Sequence, residues 1–362
     1  MWDHSRLPQG LSWCPLSLSI LPSNTIYKNP RPIFDSSFRP YPWCFAINDW
    51  TSKDNEPRLT FSQAEMGFMI WLYNLRITYP HLEIYIADDD ASGAFRLMKY
   101  HPNCWALHSS RQCGYLVINT GGTFGDNTSP SNFDPIGLAR RQLAQYLWKF
   151  DVALDRVKKH LPPIQLAEAP PVEVIASFVP ADSDDLNPGV LGPSGERLAP
   201  PYNMHVDDSL YADVGPFLHQ TVYASVAALF DLLGEPTDPL VPSPLSLEKF
   251  EAFYNHMRKL VGRRFNSRTL SVGMLPYKRE QLQQDLHLWV TRPSFDILEL
   301  SKLLGTLENH TKYAPWARCW YFALQNAVRR ILLARYAILK RIYAKPGRAD
   351  RVTRDLRSLL ST

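Results

Sequence analysis

Two groups of carboxylates in this sequence could hold a metal ion. Asp88, Asp89 and Asp90 follow one another, and a second pair, Asp207 and Asp208, lies between two apolar segments. Carboxylates that crowd together in a partly buried place repel one another unless a cation neutralises them. Mg²⁺ prefers oxygen ligands, and two such ions can activate an attacking oxygen and stabilise a leaving pyrophosphate. Each group alone is also typical of a turn or a helix cap.

The hydrophobic pattern places the first acidic group at the end of a strand. Residues 82–87 alternate and are rich in strand-forming side chains, and they run straight into Asp88. A helix is predicted before this strand, beginning at the capping box 62–65 and ending at Pro80. The first acidic group is therefore expected where a strand ends.

Other elements are predicted on both sides of the second acidic pair. In chain order they are a strand at 115–118, a Gly-rich loop at 121–125, a helix capped by Asp134 and extending to Val157, a helix at about 216–233 ended by Gly234, and a helix at about 246–260. Residues 162–201 hold nine of the 30 prolines, which indicates an extended surface insertion. From about residue 280 onward the pattern is mostly helical.

Composition excludes several classes of protein. With 362 residues, 45% of them hydrophobic and 20% charged, the chain can bury a sizeable core and is not disordered as a whole. It has no uninterrupted apolar run of about 18 residues, so no membrane span is predicted. The five cysteines are widely spaced and form no Cys-x-x-Cys, which favours reduced thiols over a zinc site. We therefore expect an intracellular protein, in cytoplasm or nucleus, that is not secreted.

The net charge of +4 is unevenly distributed. Residues 328–362 hold ten Lys and Arg against two Asp, and residues 258–279 hold seven Lys and Arg and no acid. This asymmetry predicts a polyanionic partner, although a solvated helix face would give the same pattern.

The order and spacing of three motifs resemble the palm of reverse transcriptases. The first motif of that family, a strand-end aspartate followed by Ala and an aromatic residue, is matched by DASGAF at 90–95. A Gly-containing loop with a Ser-Pro pair before a helix is matched by FGDNTSPSNF at 124–133. The third motif, an aromatic residue, one apolar residue and two aspartates, reads HVDD at 205–208, with His205 in the aromatic position.

Three further segments extend the resemblance over about residues 24–275. Residues 28–35 (KNPRPIFD), with Asn48 beyond them, resemble a basic segment of the fingers, and residues 260–262 (LVG) resemble the turn that grips the primer. The region of Lys249 corresponds loosely to a later lysine-bearing motif. The pattern is most similar to retrotransposon enzymes of the LTR and tyrosine-recombinase groups.

The resemblance implies roles for eight residues. Asp90 and Asp207 would hold two Mg²⁺ ions, with Mn²⁺ as the alternative ion, and Asp208 would support the site. Phe95 would pack under the sugar of the incoming nucleotide and exclude a 2′-hydroxyl. The remaining residues would bind substrate: Lys28 and Arg31 at the triphosphate, and Phe124 and Gly125 in the loop beside template and nucleotide. The basic stretches 258–279 and 328–357 would contact phosphates.

The fold that the resemblance implies is α+β. A small antiparallel palm sheet would be backed by helices, with fingers and palm in 1–275 and a helical, basic, thumb-like region in 276–362. The implied activity is RNA-directed DNA synthesis from dNTPs on a primed RNA or DNA template, with no membrane partner and with the oligomeric state left open.

Two other functions fit the sequence. A catalytically decayed retroelement remnant that only binds nucleic acid would account for the His in the third motif, the short segment before residue 24 and the lack of an RNase H motif. Another two-metal phosphotransfer enzyme with a cyclase-like palm would account for the aspartates but not for the 124–133 motif or Arg31.

Overall fold

The computed structural model describes most of the chain between residues 63 and 342. The described residues are 48, 59, 63–105, 109–112, 115–122, 126, 128–150, 154–180, 189–237, 243–291, 296–311 and 317–342. The chain divides into two compact units, residues 1–271 and 272–362. All three of the predicted metal ligands belong to the first unit.

Helices and strands alternate irregularly along the first unit. In chain order they are α1 (Ala64–Thr78), β1 (Ile84–Asp90), α2 (Ala94–Leu97), β2 (Ser109–Gln112), β3 (Tyr115–Ile118), α3 (Ser129–Leu147), α4 (Asp155–Lys158), β4 (Gln165–Leu166), α5 (Val172–Ala176), β5 (Asn203–His205), β6 (Asp208–Val214), α6 (Gly215–Leu233), β7 (Phe253–Tyr254), β8 (Met257–Leu260) and β9 (Arg263–Asn266). The predictions of α1, β3 and α6 are confirmed.

A three-stranded antiparallel sheet, ordered β1-β6-β5, joins the two acidic groups. Its register pairs Ile84 with Val214 at one end and Asp90 with Asp208 at the other. β5 and β6 form a tight hairpin that closes with His205 opposite Asp208. Because β1 continues through the aspartates to Asp90, three residues beyond the predicted strand, its acidic end lies directly beside the hairpin turn.

Helices α3 and α6 back one face of this sheet. Tyr85 and Ala87 of β1 lie in the same buried cluster as Ala144 of α3 and Val222 of α6. α6 is apolar on nearly every side, as expected for a helix enclosed by other elements. The α+β fold, with a small antiparallel sheet backed by helices, is therefore confirmed.

Helix α1 packs beside the β5–β6 hairpin. The Trp71 indole donates a 2.8 Å hydrogen bond to the carbonyl of Ala212. A Cβ atom on Gly67 would lie 2.5 Å from the Asn203 side-chain oxygen, so a larger residue here would force the Asn203 side chain to move. The helix that precedes the sheet in sequence thus covers the strands that follow it much later.

The predicted start and end of α3 are wrong. The helix begins at Ser129 rather than after Asp134 and ends at Leu147. Its start is set by Asp126, whose carboxylate accepts hydrogen bonds from the backbone N–H (2.9 Å) and the hydroxyl (2.8 Å) of Thr128. Asp134 is itself buried inside the helix, and Val157 belongs to the separate short helix α4.

The predicted helix at 246–260 is also wrong. Residues 246–250 form turns, and β7 and β8 follow them. The side chains of β8 alternate, with Arg258 and Leu260 buried and Met257 and Lys259 exposed, which is the period of a strand. β8 and β9 form a hairpin through Val261 and Gly262, both with positive φ, so the turn expected at 260–262 is present.

The Pro-rich segment 162–201 is not confined to the surface. It contributes β4, which pairs in parallel with β7, and its later part sends Arg197 into the core. The Arg197 guanidinium lies 2.6 Å from the Asp213 carboxylate and 5.0 Å from the ring centre of Trp71. This insertion is therefore fixed to the sheet by a buried, aromatic-lined ion pair.

The second unit is helical in its described part, as expected. After β10 (Ser271–Met274) it contains α7 (Pro276–Thr291), α8 (Ile297–His310) and α9 (Arg318–Ile342). The hydroxyl groups of Thr311 and Tyr321 lie 2.9 Å apart in a buried hydrogen bond. Within the described residues, no helix is both long enough and apolar enough to cross a membrane.

Candidate active site

Three carboxylates from two distant parts of the chain meet at one end of the main sheet. Asp90 ends β1, Asp208 begins β6 opposite it, and Asp207 lies in the hairpin turn between β5 and β6. One carboxylate oxygen from each lies within 4.8 Å of those of the other two. The backbone N–H of Ala91 donates to the carbonyl of Asp207 at 3.1 Å, which joins the turn to the end of β1.

The hairpin turn holds Val206 in an uncommon backbone conformation. Its φ is 59°, in the left-handed region that a β-branched residue rarely adopts. The turn has only two residues, Val206 and Asp207, between the paired His205 and Asp208. This tight turn is what brings two consecutive aspartates to the end of β1.

Burial and mutual repulsion weaken the acidity of these carboxyl groups. Burial, followed by the charge of Asp90, raises the pKa of Asp207. Burial, followed by the charges of Asp207 and Asp90, raises the pKa of Asp208 to about 8. Three hard oxygen donors in this arrangement fit a divalent cation, because such an ion would stabilise all three in their ionised form.

The side-chain ammonium of Lys249 also belongs to this cluster. The Lys249 ammonium lies 2.8 Å from each oxygen of Asp90. Backbone hydrogen bonds hold this segment against the end of β1, from the Ser246 N–H to the Asp90 carbonyl (3.0 Å) and from the Ser92 N–H to the Pro244 carbonyl (2.7 Å). The loose sequence match at Lys249 therefore falls on a residue that contacts the carboxylate cluster.

The other two aspartates of the first group have partners elsewhere. Asp88 forms an ion pair with Arg258 of β8. Asp89 is fully buried and forms an ion pair with Arg140 of α3. Since side chains alternate along a strand, Asp88 and Asp90 share one face and Asp89 points to the other. Asp90 alone of the three joins Asp207 and Asp208 within the described residues.

Phe95 lies close to the cluster in sequence but is packed against other side chains. Its ring meets that of Phe133 edge to face, with centroids 6.0 Å apart. It begins the short helix α2 with Ala94, immediately after Gly93, whose φ is 60°. Gly121 and Gly122 pass so close to the carbonyls of α2 that neither position has room for a Cβ. Phe95 is half-buried, and its contact with Phe133 fixes the orientation of its ring.

Four of the predicted substrate-binding residues lie outside the described residues: Lys28, Arg31, Phe124 and Gly125. Asp126, which follows them in the second motif, is buried and accepts a 2.9 Å hydrogen bond from the Tyr100 hydroxyl. The structure therefore anchors the third residue of that motif to the segment after α2.

The basic stretch 258–279 is only partly free to contact phosphates. Arg258, Arg263 and Arg268 form ion pairs with Asp88, Glu65 and Glu83 respectively. Lys259 and Arg264 of the same hairpin are exposed. Three arginines of the stretch thus hold acidic groups of the protein, and the contact of the stretch with phosphates stays a prediction that the exposed Lys259 and Arg264 fit best.

Comparison with known proteins gives distant structural matches. No protein-family model and no curated protein matches the chain. The structure is similar to a foamy viral protease–reverse transcriptase (dRH) in complex with double-stranded DNA, with a TM-score of 0.41 and 13% identity over 80% of this chain and 33% of that one. It is also similar to the foamy viral protease–reverse transcriptase in complex with an RNA/DNA hybrid, with a TM-score of 0.39 and 14% identity over 72% of this chain and 25% of that one. The chain thus spans about a third or less of these proteins.

Proposed function

We propose that this chain is a template-directed nucleotidyltransferase that synthesises DNA on an RNA template, of the retrotransposon type that its motifs resemble. The observation that carries the proposal is the meeting of Asp90, Asp207 and Asp208 at one end of the β1–β6 pair. These residues come from the first and third motifs of the resemblance, 117 positions apart in the chain.

The proposed reaction forms one phosphodiester bond. The primer 3′-hydroxyl would give its proton to solvent, and its oxygen would bond to the α-phosphorus of a dNTP while the bond from that phosphorus to the pyrophosphate oxygen breaks and pyrophosphate leaves. Asp90 and Asp207 would hold two divalent ions with support from Asp208, and bound ions of this kind activate an attacking oxygen and stabilise a leaving one. We propose that these ions are Mg²⁺, with Mn²⁺ as the alternative.

The chain's own residues would orient and neutralise the substrates. Lys249 places a positive charge beside Asp90, where it can stabilise negative charge on the triphosphate. Phe95 would contact the sugar and disfavour a 2′-hydroxyl, with its ring held by Phe133. Lys28 and Arg31 would add positive charge at the phosphates, and Phe124 and Gly125 would line the loop beside the template.

Primer extension tests the proposal. We expect the wild-type chain to extend a DNA primer on an RNA template with Mg²⁺, and Asp207→Asn to reduce the rate by about a hundredfold or more, the loss typical of a removed electrostatic stabiliser. Asp155→Asn is the matched control, because Asp155 is exposed on α4, away from the cluster. Equal extension rates for Asp207→Asn and the wild type would rule out the proposed mechanism.

The alternative of a non-catalytic remnant makes a different prediction in the same samples. A remnant would bind a primed template in a salt-dependent filter assay and would not extend it. A polymerase predicts that both proteins bind the primed template and that the wild type extends it while Asp207→Asn does not. A remnant predicts that both bind it and neither extends it.

A further inference from the structure

A buried polar cluster lies behind the strand that carries Asp90. The Asp89 side chain is fully buried and forms an ion pair with Arg140 of α3. It also accepts hydrogen bonds from the Tyr211 hydroxyl of β6 (2.9 Å) and the Ser225 hydroxyl of α6 (2.7 Å). One carboxylate thus joins two strands and two helices.

The position of this cluster relates it directly to the three clustered carboxylates. The strand register pairs Asp89 with Ser209, one step before Asp90 pairs with Asp208. Because side chains alternate, Asp89 faces α3 and α6 while its neighbour Asp90 faces Lys249. The buried ion pair therefore holds the backbone at the residue next to each of two predicted metal ligands.

Arg140 extends the connection from one helix to the other. Its Nη2 atom donates to the Ser225 carbonyl at 3.4 Å and lies 3.1 Å from the Ser225 hydroxyl, besides contacting Asp89. The Ser225 hydroxyl in turn lies 3.5 Å from that of Ser209 on β6. α3, α6 and both strands therefore share one set of directional contacts.

This arrangement is a poor way to gain stability. The Nε and Nη1 atoms of Arg140 are buried and lack a hydrogen-bond partner among the described residues. Desolvating two charges costs more than an imperfect pair returns, and well-packed apolar residues often stabilise a core equally well or better. An ion pair fixes the distance and direction between the two elements that carry it, and an apolar pair does not.

We propose that the Asp89–Arg140 pair positions the β5–β6 hairpin turn and the end of β1 relative to α3 and α6, and so sets the separation of Asp90 from Asp208. Its consequence for metal affinity rests on the proposed function. Asp89 and Arg140 are positioning residues, since each acts on the carboxylate cluster through the backbone of the strands.

Replacing the pair by apolar residues separates positioning from stability. We expect Asp89→Leu/Arg140→Met to fold and to melt only several degrees below the wild type, because removing both partners together leaves no buried charge unpaired, and the cost is limited to the Tyr211 and Ser225 hydroxyl groups, which lose their acceptor. In the same variant, backbone amides of residues 203–210 should exchange hydrogen at least tenfold faster without any metal, while those of the β8–β9 hairpin stay unchanged. Arg156→Met/Asp231→Leu, which removes a partly exposed ion pair between α4 and the end of α6, is the control and should leave 203–210 unaffected.

A second variant keeps the test decisive if the double substitution fails to fold. Tyr211→Phe removes one hydroxyl from Asp89 and no packing volume, and it should accelerate exchange at 203–210 to a smaller extent. Unchanged exchange at 203–210 in a folded double variant, or in Tyr211→Phe if that alone folds, would overturn the proposal.

Metal affinity is measured in a separate experiment. Mn²⁺ titration followed by electron paramagnetic resonance should show affinity about 10- to 100-fold weaker in the double variant, the range seen when the support of a ligand is lost. A wild type that binds no Mn²⁺ would defeat the proposed function and leave the exchange measurement to decide the positioning role.

Discussion

Lys249 lies 2.8 Å from both oxygens of Asp90, across 159 positions of sequence. The contact joins the turn after α6 to the end of β1, so the lysine is positioned by the same backbone hydrogen bonds that hold that turn in place. Burial and the repulsion among the aspartates raise the pKa of both Asp207 and Asp208, and the charge of Lys249 offsets part of that rise.

Removing this charge should shift the pH dependence of the reaction. Without Lys249 the aspartates stay protonated to higher pH, so Lys249→Met should move the acidic limb of the primer-extension rate to higher pH and lower the rate at pH 7. Lys158→Met, on the exposed face of α4, is the control. A pH profile identical to that of the wild type would show that the ammonium does not act on the cluster.

Asp208 should make the metal-free protein less stable as the pH rises. In the folded chain its pKa is raised to about 8 from 3.8, so unfolding releases a proton between these values. The free energy of unfolding should therefore fall as the pH rises from about 4 to 8, and Asp208→Asn should flatten this slope. Urea unfolding in EDTA at several pH values measures it, and an unchanged slope in Asp208→Asn would contradict the assignment.

Val206 should be a source of strain that glycine relieves. The left-handed conformation costs a non-glycine residue about 1–2 kcal/mol, while glycine loses about 0.5–1 kcal/mol through its greater freedom in the unfolded chain. Val206→Gly should thus stabilise the protein by up to about 1.5 kcal/mol in urea unfolding. Val261→Gly, at φ 47° in the β8–β9 turn, should behave in the same way. Destabilisation by Val206→Gly would show that its side-chain contacts outweigh the strain.

Cations of the β8–β9 hairpin should fall into two functional groups. Lys259→Ala and Arg264→Ala should each lower the salt dependence of nucleic-acid binding by about one unit of slope, with little change in thermal stability. Arg258→Ala should instead destabilise the fold by about 2 kcal/mol, because it leaves Asp88 without its ion-pair partner. If all three substitutions weakened nucleic-acid binding equally and none changed stability, this division of the cations would be wrong.

Local patterns in the sequence predict only part of the carboxylate cluster. The strand before Asp90 is predicted from its own residues, whereas residues 203–210 suggest a short turn-like segment and in fact form β5, a tight turn and the start of β6. The meeting of the two acidic groups is implied by the motif resemblance, and the antiparallel register of β1 and β6 brings it about. The spacing from Asp90 to Ala94 and Phe95 also distinguishes Asp90 from its two neighbours, and the structure places only Asp90 beside the pair.

Long-range contacts explain what the sequence does not predict. The segment around Lys249 has a helix-like composition, yet its backbone bonds to the end of β1 and the next strands alternate with period two. The arginines of 258–279 look like a phosphate-binding surface until their acidic partners, far away in sequence, are known. Nothing in the spacing indicates that Asp89, a charged residue in a strand, is fully buried against Arg140.

Mn²⁺ binding shows whether Asp90, Asp207 and Asp208 form a metal site. In a titration followed by electron paramagnetic resonance, wild type and Asp155→Asn should bind Mn²⁺ equally well, and Asp90→Asn and Asp207→Asn should each lose binding, since each removes an oxygen donor from the cluster. Binding by Asp90→Asn and Asp207→Asn with wild-type affinity would contradict the assignment of these carboxylates as metal ligands.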